Sequence, residues 1–141
     1  MFGNLALVVA ALFTGAAIYI VWAEQPARLG LTDQSLLAEW KPSYARGFTM
    51  QASLAVIGSV FGVLECLVTG GWLWIAGAVA LIANWPYTLV VMMPVNQALK
   101  DTPLHQAGPA SRALIEKWGS MHAVRAALGA VATLLYLWAS Y

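Results

Sequence analysis

Charge is the scarcest commodity in this sequence. Seven of its 141 residues are Lys or Arg and six are Asp or Glu, so 9% are charged while 61% are hydrophobic. Ordinary soluble domains carry roughly 25% charged residues, and a water-facing surface could hardly be built from this chain. The net charge is +1, without the basic excess that would recruit nucleic acid. Cysteine is almost absent: Cys66 stands alone, which excludes an intrachain disulfide and a multi-cysteine metal site and leaves it a small apolar residue. The two histidines, His105 and His122, are too few for the usual zinc, haem or copper site. Met92-Met93 reads as packing rather than as copper ligands. Haem held by His122 alone is the metal site least at odds with the residues, and the expectation is no metal and no cofactor. There is no phosphate-cradling glycine loop, no Ser-His-Asp set and no internal repeat.

What the chain has in abundance is apolar length. Four stretches, 5–23, 48–68, 72–95 and 122–141, each approach the roughly 20 residues that a bilayer core requires. They predict one domain over residues 1–141, an all-α, antiparallel four-helix transmembrane bundle. Met1-Phe2-Gly3-Asn4 has no basic n-region, so a cleaved signal peptide is not expected. Arg28, Lys41 and Arg46 lie between the first two spans, and Lys100, Arg112, Lys117 and Arg125 lie between the last two or just inside the fourth. The positive-inside rule therefore puts loops one and three in the cytoplasm and both termini outside, as in a bacterial inner membrane. In the first loop, Thr32 or Asp33 can cap a short interfacial helix, with Trp40 at headgroup depth. Pro26 is expected to bend or end the first span, and Pro42 to open the second. The Gly70-Gly71 turn makes spans two and three a hairpin, with Trp72 and Trp74 in an outer aromatic belt. Glu65 has no cation in its leaflet and is expected to be structural. His105, in a polar, proline-broken loop, is expected to be exposed and inert.

The remaining polar residues are informative because lipid penalises each of them. Trp118, His122 and Arg125 fall at i, i+4 and i+7, one stripe of a helix. A cation that deep should face protein, a water-filled cavity or headgroups. In span three, Pro86 and Pro94 each remove a backbone hydrogen bond, which opens a gap between helices, and Asn84, Tyr87 and Thr88 share a face beside it. Depth read from the span limits brings Glu24, Arg46, Gln51, Asn96, His122 and Arg125 into one leaflet, with Asn84 and Tyr87 deeper. They are expected to line a cavity with Tyr19, Trp85, Met92, Met93 and Trp118 as apolar or aromatic walls. Two alternatives stand beside this: a kink merely stabilised by Asn84 and Thr88, and a polar network that only holds the helices together.

The motifs Gly15…Tyr19…Glu24-x-Pro26-Ala27-Arg28, Asn84-Trp85-Pro86-Tyr87-Thr88…Met93-Pro94-x-Asn96 and Trp118-x-x-x-His122-x-x-Arg125 resemble the anthrone oxygenase-like family of small four-helix membrane proteins. The likeness covers nearly the whole chain. It implies a cofactor-free oxidation of an anthrone- or hydroquinone-like aromatic by O₂, with a tryptophan and a histidine involved. On that basis His122 would be the general base, Arg125 with Asn96 or Gln51 would stabilise the anion, and Trp118 would stack on the ring or help place O₂. Glu24 would orient His122 or hold Arg125; Arg46, Asn84 and Tyr87 would complete the substrate site. The expected partners are a lipophilic aromatic, O₂ and membrane lipid, with a homo-oligomer left open. The rival reading is a non-catalytic membrane module that binds quinone or lipid, or a small subunit of a larger complex.

Overall fold

The computed structural model describes residues 1–141. Four helices account for most of the chain: α1 (Phe2–Leu29), α2 (Asp33–Thr69), α3 (Trp72–Asp101) and α4 (Pro109–Ala139), each long and apolar enough to cross a membrane. They form an antiparallel bundle in which each helix packs on its chain neighbours and α1 closes the ring against α4. The protein is an integral membrane four-helix bundle. Six of the seven Lys and Arg residues sit in the loops and adjoining helix ends at one end, called the basic end here, with Arg125 deeper in α4; the far end carries the hairpin.

The helices run well past the apolar spans, and two expectations fail for that reason. No separate interfacial helix exists. Residues 33–40 are the first turns of α2, capped by Thr32, whose Oγ1 accepts from the Ser35 N–H at 3.4 Å. One face of them is buried: Leu36, Leu37 and Trp40 pack against Met92, Val95 and Leu99 of α3 and Ile115 and Trp118 of α4. Trp40 is therefore a core residue and not a headgroup anchor. Neither Pro26 nor Pro42 ends a helix. A π-turn at Ile20–Glu24 immediately precedes the turn that holds Pro26, and such a turn absorbs the missing bond without breaking the rod. In α3 a break at Ala83 and a second π-turn at Thr88–Met92 flank Pro86 and precede Pro94. Asn84 Nδ2 meets the carbonyl of Leu81 at 3.0 Å.

Arg112 locks the basic end. Its guanidinium donates to the carbonyls of Leu29, at 2.8 Å, and Leu31, and pairs with Asp33. One side chain thereby satisfies open carbonyls at the end of α1 and ties α4 to the start of α2. Arg112→Met is expected to lower unfolding stability in detergent by about 2 kcal/mol, since hydrogen bonds from a charged donor are each worth about 1.5–3. Lys at this position should recover only part of that, lacking the fork. An unchanged melting temperature in Arg112→Met would show the clamp to be idle.

The far half is packed differently. Ala6, Ala10, Phe13, Ala17, Ala55, Trp74, Leu81, Ala132 and Tyr136 form its core. Small residues let the helices close around Tyr136: a Cβ at Gly77 would lie 2.5 Å from the Tyr136 ring. The Tyr136 hydroxyl donates to the carbonyl of Gly58 at 3.0 Å. Trp74 packs on that ring, centroids 5.6 Å apart, so only Trp72, 72% exposed, belongs to an outward belt. Gly70 turns the hairpin at φ 74°, left-handed backbone that suits glycine. Glu65 accepts from the Gly3 N–H at 2.7 Å and lies 3.7 Å from the Met1 ammonium, which supplies the cation that its leaflet otherwise lacks.

Candidate functional site

Between the two apolar cores lies a polar layer. On α2 it falls between Trp40 and Ala55, on α3 between Leu81 and Met92, and on α4 between Trp118 and Ala132. Its members are Gln51, Asn84, Thr88, His122 and Arg125, none more than 6% exposed.

These side chains meet at two small chambers. The first, about 10 Å³ and so room for one water, is lined by Arg28, Tyr44, Phe48, Gln51, Trp118, His122 and Arg125, together with Ile20, Ser43 and Gly47. The second, also about 10 Å³, lies between α2 and α3 beside the π-turn and is lined by Asn84, Thr88, Trp85, Leu89, Ala52 and Ala55. Phe48 and Arg125 belong to both walls. The stripe at i, i+4, i+7 thus comes together at one chamber, where the Trp118 and His122 rings stack 4.9 Å apart at 23°. Trp40 meets the edge of Trp118 at 5.8 Å and stacks on Tyr44 at 4.7 Å.

The polar atoms of this layer have almost no protein partners. Both nitrogens of His122, both amide atoms of Gln51, Oδ1 of Asn84, Oγ1 of Thr88, Nε1 of Trp118 and Nε of Arg125 are buried without a hydrogen bond. Arg125 has no carboxylate within 4 Å, because the ion pairs in the structure are Met1–Glu65, Arg28–Glu24, Arg28–Glu39 and Arg112–Asp33. Its guanidinium instead lies 5.7 Å from the Phe13 ring centroid.

Several expected site residues lie elsewhere. Glu24 contacts neither His122 nor Arg125; it is held by Arg28, one turn on, and by the Ser43 hydroxyl. Arg46 is exposed and lines an outer groove between α1 and α2. Asn96 is fully buried and unpaired, yet it lies beyond Met92 among the residues of the basic-end core and lines neither chamber. Tyr87 turns toward α4 and donates to the Met121 carbonyl at 3.2 Å. Of the expected wall residues, Tyr19 lines the same groove as Arg46, Trp85 edges the second chamber, and Met92 belongs to the basic-end core.

Arg28, not among the expected site residues, lines the first chamber, which neither Glu24 nor Arg46 does. It is 3% exposed, its Nε lies 3.1 Å from Glu39, and its guanidinium lies 5.6 Å from the Trp118 ring centroid. Two carboxylates thus neutralise the one cation on the tryptophan, whereas Arg125 on the other side of the chamber is left without one. The spacing of Glu24 and Arg28, i and i+4 on a helix, was the available signal for the first pair. Gln25 donates to the Ile115 carbonyl at 2.9 Å and fits α1 against α4 only because residue 119 is glycine: a Cβ there would fall 2.6 Å from Gln25 Nε2. No group of three or more His, Cys, Asp or Glu is close enough to hold a metal ion.

Comparison with known proteins bears on the same residues. The anthrone oxygenase family model matches residues 40–135, a stretch that takes in Gln51, Asn84, Thr88, Trp118, His122 and Arg125 and leaves α1 outside. No curated protein and no solved structure matches the chain. With more than half of its length, and the whole polar layer, inside that match, the chain belongs to the anthrone oxygenase family.

Proposed function

We propose that this membrane protein is an oxygenase that oxidises a flat, lipophilic anthrone- or hydroquinone-like aromatic with O₂, His122 acting as general base and no cofactor taking part. The observation that carries this reading is the set of unpartnered buried groups around Arg125 and His122. A polar network kept only to join helices would spend its hydrogen bonds between helices. Here the donors and acceptors are left without protein partners, at a cost of roughly 1–3 kcal/mol for each buried unsatisfied group. Such an arrangement suits a ligand that brings the missing partners. A guanidinium buried without a counter-ion suits, in particular, a ligand that becomes anionic.

The chemistry follows from those groups. His122 removes a proton from the activated ring carbon, and the resulting enolate is held by Arg125 with Gln51 beside it. The carbanion passes an electron to O₂, the two radicals join as a peroxide, and loss of water leaves the carbonyl. For an anthrone the balance is CH₂ + O₂ → C=O + H₂O; a hydroquinone instead gives up its two O–H protons and two electrons, and O₂ leaves as H₂O₂. Trp118, stacked on His122, fixes the imidazole plane. The basic end lies in the cytoplasm by the distribution of cations, with both termini outside, as for a bacterial inner-membrane protein.

The test is O₂ uptake by the purified protein with anthrone and hydroquinone substrates. His122→Ala is expected to lower the rate by about 10²–10⁴, the usual contribution of a general base. Undiminished turnover in that variant would remove His122 from the chemistry. Binding of quinones without any turnover by the parent protein would instead favour the non-catalytic module.

A further inference from the structure

The chamber at His122 is too small for the substrate class just proposed. It holds about one water, and ligand pockets for ring systems run to roughly 300–1,000 Å³. A groove of about 540 Å³ adjoins it, running between α1 and α2 near the basic end. Ile20, Ser43 and Gly47 belong to the walls of both, so they mark the place where groove and chamber meet. Ser43 and Gly47 are one turn apart on α2, and Gln51 of the chamber is one turn further on the same stripe. Opposite them Ile20 begins the π-turn of α1, a local widening that recurs at functional sites.

We propose that the ring system of the substrate lies in the α1–α2 groove and presents its reacting edge to His122 through a window at Gly47. This rests on the oxygenase reading for the chemistry, but the binding claim stands on the groove itself. Ala16, Tyr19 and Met50 supply an apolar flank, whereas Glu24, Glu39 and Arg46 supply a charged end. The ligand is therefore amphiphilic: flat and apolar along its length, with hydroxyl or acidic substituents directed to the charged end. Arg46, which forms no ion pair with the chain's own carboxylates, is placed to select an acidic substituent. The groove opens sideways between two helices, so a substrate dissolved in the membrane enters without crossing a polar loop.

Gly47 makes this testable without unfolding the protein. A Cβ there meets nothing within 4 Å, and Leu is a better helix former than Gly. Gly47→Leu is expected to fold normally, to lower kcat/KM at least ten-fold for a three-ring substrate, and to lower it less for a one-ring hydroquinone that passes a narrower opening. Gly15→Leu is the control, since Gly15 is exposed on α1 outside the groove and its Cβ also meets nothing. Anthraquinone binding, followed by its absorbance in detergent, is measured in parallel and should weaken at least ten-fold in Gly47→Leu and not in Gly15→Leu. Parent-like kcat/KM and quinone affinity in Gly47→Leu would overturn the proposal. If the parent binds anthraquinone in a Gly47-dependent way but consumes no O₂, the groove stands and the oxygenase reading falls.

Discussion

Arg125→Met is expected to yield a protein at least as resistant to heat as the parent and nearly inactive. The guanidinium is 6% exposed and has no carboxylate near it. Burying an ion costs several kcal/mol of desolvation, which an apolar chain of similar reach does not incur and which no carboxylate offsets here. The catalytic cost runs the other way. Loss of one donor that stabilises a developing oxyanion lowers rates by about 10²–10³, and the loss here should fall on kcat because the charge appears only after proton removal. Melting temperature in detergent and O₂ uptake, measured on the same preparation, give the answer. A lower melting temperature with normal turnover would mean that Arg125 holds helices together after all.

Tyr136→Ala should show the opposite pattern, with stability lost and the chemistry per folded molecule kept. The ring is fully buried in the far core, stacked near Trp74, and the helices bearing Gly62 and Gly77 close directly on it. Within a bilayer, packing rather than exclusion of water joins helices, so the void left by the ring takes away van der Waals contact that nothing replaces. A large aromatic truncated to Ala in a core costs about 3–5 kcal/mol. Tyr136→Phe removes only the hydrogen bond to the Gly58 carbonyl and should cost about 0.5–1.5 kcal/mol. Unfolding in detergent, monitored by loss of helix, separates the two variants. Equal stability of Ala and parent would show that the far core can collapse around the gap.

The four helices were legible because lipid demands long apolar runs and this chain has four. The Trp118, His122 and Arg125 stripe was legible from spacing alone. Hydropathy does not tell which way a polar side chain turns at a helix end, and there the reading failed. Arg28 and Arg46 look alike in sequence, each a cation close to a span. Arg28 turns inward because Glu24 one turn away and Glu39 across the helix pair neutralise it, and the second of these contacts is tertiary. Asn96 does lie toward the basic end, as its place in the span indicates, but its packing among Val95 and Leu99 rather than at a chamber is a tertiary fact that spacing does not carry. Pro26 was read as bending or ending a span and Pro42 as opening one on intrinsic preference, whereas the helix runs on through both. The π-turns have no sequence signal strong enough to be read beforehand, although both stand close to prolines.

The division into a polar layer and a tightly closed far half has a further consequence. The nine buried apolar residues of the core around Tyr136 separate the polar layer near His122 from the far end, where Glu65 lies. A membrane that stores energy as an ion gradient can therefore contain this protein without short-circuiting. On the proposed chemistry, protons exchanged by the imidazole are expected to come and go at the basic end alone, and turnover to leave the transmembrane voltage undisturbed.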